Sequence, residues 1–553
     1  MESEKPKEIP ARLESLHEEE VRTDTVIATP DILLAEYDKS GLEKHAKAVR
    51  TAYTIARKVE EAGGRALFVG GTVRDMLLGK RVKDFDLEVY GLDYDIVEKI
   101  VKSAGDVKEV GRAFGILKIT FGDDIDVDVA VPRADSKSGA GHKGVATKLN
   151  KHMSIKEAAR RRDFTVNSLA ADPLSGAVYD GYNGLADLHN GILRVTDKTL
   201  FCDDPLRAVR AMQFIARLGF SVDPESVPII QAMAPRLKEL PPERHFKEWA
   251  KLLLYAEKPS LGLAAGLALG ILPEMHPEFL PLKDTPQEYA WHPEGDVWIH
   301  TLMAVDEAAR IIRREQLNSD DALVVMLATL SHDLGKPATT AVEDGRIRSK
   351  AHEHAGAKPT KSFLDSIAIG PVMQEKILRI VENHLAPGVF YNQEALKGKK
   401  VSMGAIRKLA LRIAPATIRD LALVGEADHL GRGPFEDPKT PNQLLLPLGE
   451  YPPGPWILSR ARNLGVELSR PVDLLQGRDL IGIGYRPGRH FGEIIHLANR
   501  LRDEKEYTRE QVLSLMIDKK TPAEAISHLT QITGPAPDST NPEDGASDQR
   551  EVS

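Results

Sequence analysis

The chain has 553 residues, 42% of them apolar and 28% charged, which gives ordinary globular cores and material for about three to five domains. Its formal net charge of −8 argues weakly against a nucleic-acid partner, although phosphate recognition depends on local basic surfaces rather than on the sum. A single cysteine, Cys202, excludes an intrachain disulfide framework, and the lack of a signal-like start or a long apolar run sets the expectation of a cytosolic protein that does not enter a membrane.

Met1 to about Thr25 is rich in Glu and Lys and reads as loose, within a polar N-terminal extension over 1–40; Gly41 to Ala62 reads as a helix leading into a catalytic sheet. Arg65 to Val69 is an apolar run expected as a strand. It ends in Gly70-Gly71, where missing side chains allow a tight turn and let backbone N–H groups approach phosphate oxygens. Thr72 to Leu78 reads as a short helix. Lys83 to Tyr90 then alternates as a second strand, with Asp84, Asp86 and Glu88 on one face and Phe85, Leu87 and Val89 on the other. An exposed alternating strand would give the same pattern.

Asp124 to Ala130 repeats the arrangement, with Asp124, Asp126 and Asp128 facing one way. If the two strands pair, several carboxylates converge, and such a cluster repels itself unless divalent cations neutralise it. Hard oxygen ligands favour Mg²⁺ or Mn²⁺ bridging to substrate phosphates, which suits hydroxyl attack on an α-phosphorus with pyrophosphate leaving. From Asp135 to Arg162 eight Lys or Arg stand against two acids; this reads as a mobile basic loop that either grips a nucleic-acid end or keeps a loop soluble. Arg161, Arg162 and Asn167 offer fixed-geometry donors for triphosphate and sugar, although three adjacent arginines also occur on solvated helix faces.

At these residues the chain resembles the bacterial tRNA nucleotidyltransferases of the class that also contains poly(A) polymerases. The resemblance spans roughly Ala62 to Tyr255 and is carried by Gly70-Gly-Thr-Val-Arg-Asp-Met-Leu-Leu-Gly79 with Asp84-x-Asp86, Arg162-Asp-Phe-Thr-Val-Asn167, Asp180-Gly-x-x-Gly184 with Asp187-Leu188 and Ile192-x-Arg194, Asp203-Asp-Pro-Leu-Arg207 with Arg210-Ala211 and Phe214, and Glu243-Arg244. It implies an α+β fold: a nucleotidyltransferase mixed-sheet head followed by all-helical neck, body and metal domains. It implies that Asp84 and Asp86 bind catalytic Mg²⁺, with Asp128 a further strand acid, and that Gly70, Gly71, Arg74 and Asp75, completed by Arg162, Asp163 and Asn167, hold the triphosphate. Asp204 and Arg207 would hydrogen-bond the Watson-Crick edge of incoming CTP or ATP, with Arg210 beside them, and their i, i+3 spacing independently puts them on one helix face. The family usually has Glu before that template Asp; this chain has Asp203, which leaves CTP addition less supported than ATP addition. An N-cap role for Asp203-Asp204 would also fit and can coexist with base reading.

A second centre starts at Trp291-His-Pro-Glu-Gly-Asp-Val-Trp-Ile-His-Thr301, followed by His332-Asp333, Lys336, His354, His384 and Asp428 on segments that otherwise read as apolar-periodic helices. Histidines on helices are often only packed, but an adjacent His-Asp pair with distant His and Asp partners suits a divalent metal in a helical bundle. The spacing resembles the HD phosphohydrolase superfamily, which implies His300, His332, Asp333 and Asp428 as ligands, His354 and His384 as those permitting a second metal, and Lys336 as a phosphate holder. The metal could be Ni²⁺, Mn²⁺, Co²⁺ or Mg²⁺, and the favoured reaction is hydrolysis of a 2′,3′-cyclic phosphodiester or a phosphomonoester; a metal site kept for structure alone is the competing reading.

The expected domains are thus a head over 41–196, a helical neck and body over 197–283 that binds the nucleotide base and tRNA, the metal domain over 284–432, a linker and C-terminal helical region over 433–520 and a disordered tail over 533–553. In the C-terminal region, Gly477 to Gly488 is similar to a family stretch where tRNA or body contacts are expected, although a plain helix-connecting turn fits as well. The expected partners are the tRNA 3′ end, CTP and ATP. Three functions compete: CCA addition to tRNA, A addition alone at tRNA or as a poly(A) polymerase, and an HD hydrolase whose head merely binds nucleotide.

Overall fold

A computed structural model describes residues 21–28, 30–109, 115–122, 125–137, 145–433 and 450–534. The chain divides into two compact units, one ending at Leu240 and the other beginning at Pro241.

The first unit is built on a sheet whose strands are β1 (Arg22–Val26), β2 (Arg65–Val69), β3 (Asp84–Tyr90), β4 (Val107–Glu109), β5 (Ile116–Thr120), β6 (Asp126–Ala130), β9 (Ala170–Ala171) and β10 (Ala177–Tyr179), with β7 (Arg133–Lys137) and β8 (Val145–Leu149) forming a separate hairpin. The order is β1-β10-β9-β2-β3-β6-β5-β4, antiparallel except that β3 and β6 run parallel. Alternation decides which face is which. Phe85, Leu87 and Val89 are buried and the Glu43–Glu61 helix packs over the sheet with Val49, Ala52, Ile55 and Val59 inward, so the acids of β3 are left on the opposite face.

Two readings are corrected here. The polar N-terminal extension carries regular structure: Arg22–Val26, the last of the stretch taken as loose, pairs as an edge strand with β10, as a β-branched, alternating pentapeptide can, and Pro30–Lys39 is a helix. The basic loop before Arg162 is a hairpin at its base, with Arg133 opposite Leu149 and Lys137 opposite Val145. Residues 138–144, Asp124, the Pro/Gly-rich stretch 434–449 and the tail beyond Gly534 lie outside the described residues.

Leu206–Leu218 is a helix, and it stops at Gly219 with φ 72°, a left-handed turn that glycine enters without strain. Among its described residues the second unit is helical apart from one small hairpin, Thr340–Glu343 with Arg346–Ser349. Its centre is the long Val297–Arg314 helix packed against Ser319–Ser331 and Ile418–Leu430. A C-terminal cluster follows, in which Leu480, Ile494, Leu501, Val512 and Leu529 form a core of their own. No helix among the described residues is long and apolar enough to cross a membrane.

Candidate functional site

In the head, the parallel pairing of β3 with β6 sets Asp84 opposite Asp126 and Asp86 opposite Asp128. β5 adds Lys118 opposite Asp128, and its Nζ lies 2.7 Å from Asp126 Oδ2 and 3.2 Å from Asp128 Oδ1. Burial, reinforced by the Asp128 and Asp84 charges and only partly opposed by Arg162, pushes the Asp86 carboxyl up to about 7. Burial raises Asp128 as well, whereas the Lys118 hydrogen bond outweighs burial at Asp126 and holds it low. The acid-bearing strand is pinned to the turn by Thr72, whose Oγ1 donates to the Asp84 carbonyl and accepts from Asp86 N–H, both at 2.9 Å.

The turn itself requires glycine. Gly70 has φ 69°, and a Cβ there would stand 2.6 Å from Arg162 Nη1, so the left-handed backbone and the close approach of the guanidinium both depend on the missing side chain. Behind it runs one chain of charged contacts: Arg74 Nε donates to Asp75 at 2.8 Å and Arg74 Nη1 to Asn167 Oδ1 at 2.6 Å, Asn167 Nδ2 donates to Asp163 Oδ1 at 2.9 Å, and Arg210 Nε donates to Asp163 Oδ2 at 2.6 Å. Burial alone would raise Asp163; Arg210 and Asn167 keep it ionised below the usual carboxylate range. Arg207 is held by two carbonyls, of Leu200 at 2.8 Å and Arg161 at 2.7 Å, and Asp204 Oδ1 accepts from Leu206 N–H at 3.1 Å in a cap-like bond. The Asp180-Gly-x-x-Gly184 stretch supports this wall: a Cβ on Gly184 would stand 2.2 Å from the Thr165 carbonyl oxygen, and Asp187 Oδ2 accepts from Thr165 Oγ1 at 2.7 Å.

In the second unit, His300, His332 and Asp428 form one group and Asp333, His352 and His384 another, each with ligand atoms within 4.8 Å of one another. His300 Nε2 lies 3.3 Å from His332 Nε2 and 3.1 Å from Asp428 Oδ1; His352 Nε2 lies 3.3 Å from His384 Nε2 and 3.3 Å from Asp333 Oδ1. The decisive feature is on the far side of each ring. Nδ1 of His332, His352 and His384 faces the carbonyls of Thr329, Ser349 and Val381 at 2.6–2.8 Å, and that of His300 faces Glu294 Oε1 at 2.8 Å. Each of these oxygens only accepts, so every Nδ1 carries the proton and every neutral ring turns its Nε2 lone pair inward. Asp333 is buried, its Oδ1 without a hydrogen bond and its Oδ2 paired with Lys336 Nζ at 2.8 Å. Lone pairs and carboxylate oxygens facing one another at this spacing repel, and a divalent cation of uncertain identity is what the set fits.

Burial drives His352 down to about 3 and lowers His384, which favours the neutral ligand form. His300 is raised despite burial because Asp428 and Glu294 flank it. Glu294 itself is held at about 2 by hydrogen bonds from His292 and His300 that outweigh its burial. Small residues set the spacing: a Cβ on Gly335 would stand 1.9 Å from the His352 carbonyl oxygen, and one on Gly431 would stand 2.7 Å from Ala304 Cα.

The expectation of His354 as a ligand is corrected to His352. The His354 side chain is 70% exposed, its Nε2 4.0 Å from Glu353, while His352 is buried in the cluster. Positions two apart on a helix point about 200° away from each other, so only one of the pair can face the metal site, and sequence spacing alone does not say which. Glu294, Thr72 and Lys118 were not singled out either; Glu294 had a signal, since it precedes His300 by six residues in the same motif.

Comparison with known proteins follows the same division. The Poly A polymerase head domain matches residues 66–194, the probable RNA and SrmB-binding site of polymerase A matches 219–282, and the HD domain matches 297–422. The multifunctional CCA protein of Vibrio campbellii is 32% identical over 382 residues, covering 68% of this chain and 88% of that protein. That of Xanthomonas campestris pv. campestris (strain B100) is 34% identical over 370 residues, covering 66% and 84%. The chain belongs to the multifunctional CCA protein family. Among solved structures, a CCA-adding enzyme complexed with CTP matches over 92% of this chain and 99% of that one at 16% identity and TM-score 0.53, a likeness of fold. The chain therefore combines a nucleotidyltransferase head with an HD domain that carries a divalent-metal site.

Proposed function

We propose that the head adds CCA to tRNA 3′ ends from CTP and ATP, and that the HD centre hydrolyses a 2′,3′-cyclic phosphodiester or a phosphomonoester. The observation that carries the first part is the parallel β3–β6 pairing, which gathers acids beside the glycine turn. These acids fit a hard cation: Asp126 Oδ1 is buried without a hydrogen bond, and burial leaves Asp86 with a proton affinity that a cation would offset. Asp84 and Asp86 would hold Mg²⁺, which when bound acidifies the RNA 3′-hydroxyl and neutralises the departing pyrophosphate.

The chain's own residues do the rest. Gly70 and Gly71 form the turn beside which the triphosphate would lie, the Gly70 N–H itself being taken by the Leu169 carbonyl at 3.1 Å; Arg74 and Arg210, braced by Asp75, Asn167 and Asp163 in one wall, and Arg162 over Gly70 would hold it in place. Asp204 and Arg207 present an acceptor and a donor to the base edge, the guanidinium already fixed by two carbonyls. Asp128, paired with Lys118, orders the acid face.

At the HD centre, His300, His332 and Asp428 with Asp333, His352 and His384 would hold the metal. Bound there, a divalent ion supplies Lewis acidity toward a phosphate ester and activates water. Lys336 Nζ is ion-paired with Asp333 Oδ2 at 2.8 Å and donates to Gln287 Oε1 at 2.8 Å, and has a further N–H for a phosphate oxygen.

The test supplies purified protein and Mg²⁺ with tRNA transcripts ending at the discriminator base, at C or at CC, with CTP and ATP singly and together, and sequences the products. CCA completed from the discriminator end supports the reading. Addition of A only, and only to CC ends, would favour the second one, an A-adding enzyme, for which Asp203 in place of the family's Glu is the specific sign.

A further inference from the structure

On the acid face of the head the strand register lines up charges across four strands. Lys108 of β4 stands opposite Lys118 of β5, Lys118 opposite Asp128 of β6, and Asp128 opposite Asp86 of β3. In the next row Asp126 stands between Thr120 and Asp84. Cross-strand partners share a face, so the sheet carries cations toward its β4 edge and carboxylates toward β3. Lys118 reaches from the first group into the second. Its Nζ bridges two carboxylates of one strand, 2.7 Å from Asp126 Oδ2 and 3.2 Å from Asp128 Oδ1, which is the position a bridging divalent ion would take between them. Glu88, the remaining acid of this face on β3, is engaged by Tyr90 Oη at 2.8 Å and by Arg162 Nη2 at 3.8 Å.

We propose that Lys118 is a built-in cation of the head, its ammonium holding the seat between Asp126 and Asp128 so that the nucleotide-free head takes divalent metal at Asp84 and Asp86 alone. This rests on the nucleotidyltransferase reading given above and adds a positioning residue to it. The reason is exclusion. A divalent ion binds carboxylate oxygens at about 2.0–2.6 Å, and an ammonium 2.7 Å from one oxygen and 3.2 Å from the other leaves no room for it at that seat. The two charges would also repel at close range in a partly buried site. Being tethered to β5, the ammonium stays whatever the metal concentration. The carboxylate face is thereby divided: one pair of acids is bridged by the chain itself, and the other, with Asp84 at the exposed start of β3, is left for exchangeable metal. Any further ion then needs ligands that the triphosphate itself supplies.

The test dialyses full-length, nucleotide-free protein against Mn²⁺ and counts the bound metal by plasma mass spectrometry; the HD centre is the same in every sample and cancels in the comparison. Lys118→Met, which keeps the stem and removes the charge, is expected to take up roughly one more Mn²⁺ per chain than the native protein, because Asp126 and Asp128 are then neighbouring carboxylates without a counter-ion. Lys118→Gln guards against misfolding and should show the same gain. Lys118→Arg should match the native count, and Lys118→Met/Asp126→Asn/Asp128→Asn should return to it. An unchanged count in Lys118→Met and Lys118→Gln, even with a lower urea midpoint, would overturn the assignment and leave Lys118 a stabilising ion pair. An extra ion that persists in the triple variant would overturn it too. Separately, Asp84→Ala/Asp86→Ala should lose bound Mn²⁺ against the native protein. If it loses none, the metal-dependent head fails as a whole; if it does and only the Lys118 comparison fails, that reading stands without this residue.

Discussion

In the function proposed above, the two centres solve the same problem, holding a cation against phosphate, by opposite means. The head gathers carboxylates on neighbouring strands, where period-two alternation delivers a row of acids to one face, and leaves them partly unsatisfied beside a single lysine. The HD centre takes imidazoles from the ends of separate helices and fixes every ring through its outer nitrogen before any ligand atom is aimed. Strand acids tolerate exchange of cation and substrate, as a site that must release pyrophosphate needs; locked imidazoles suit a resident metal. The acid face is therefore expected to lose function through charge, and the histidine cluster through geometry.

The largest effect should come from Asp84→Ala/Asp86→Ala, which is expected to cut nucleotide incorporation by at least about a thousandfold, the scale of losing charge stabilisation in a transition state, while HD hydrolysis persists. Labelled incorporation and phosphate release on one preparation would measure both; retained incorporation would break the contrast. Next, His352→Ala should lower bound metal and cost hydrolysis about a hundredfold or more, while His354→Ala leaves both within about twofold. Metal counting on the two variants decides between these neighbours. Third, Glu294→Ala frees both His292 and His300, with about a 10–100-fold loss of metal affinity expected. Glu294→Gln should lose less, because its carboxamide oxygen still accepts from the ring nitrogens; equal losses would show that charge and not orientation matters there.

Within the head, Arg210→Ala leaves Asp163 buried without its main partner and should cost about 3–5 kcal/mol, read as a fall in the urea midpoint. The same pair sets a pH dependence. The Asp163 carboxyl is held below its ordinary value in the folded head, so its contribution is complete above the unfolded value of about 3.9 and is lost as pH falls through the lower folded value. Asp163→Asn should flatten that acid limb. The smallest effect is Thr72→Val, which removes two neutral hydrogen bonds from the start of β3 at about 1–2 kcal/mol in total, with KM for nucleotide rising more than kcat falls.

Much of the head was legible because its signals are local. A strand that alternates acid and apolar residues declares its faces, and a glycine pair after an apolar run declares a turn; Asp84, Asp86, Gly70 and Gly71 needed no tertiary information to be found. The chain of contacts from Asp75 through Arg74, Asn167 and Asp163 to Arg210 could be assembled only as a set of motif positions. Nothing in the spacing says that Asn167 bridges an arginine and an aspartate. Lys118 escaped notice because a lone lysine on a strand carries no pattern, and its meaning comes from the register that puts it opposite Asp128.

In the HD region the helical periodicity and the His-Asp pair were readable, and the choice between His352 and His354 was not, because the turn after the Arg346–Ser349 strand sets the phase of the short helix that carries them. By itself the sequence determined the residue types, the alternation that sorts acids from core, and the family. Only the tertiary structure decided the parallel register of β3 with β6, which histidine turns inward and which outer acceptor fixes each ring. Those depend on how distant segments pack, and packing is set by shape and close approach, as at Gly184, Gly335 and Gly431, rather than by any pattern within one segment.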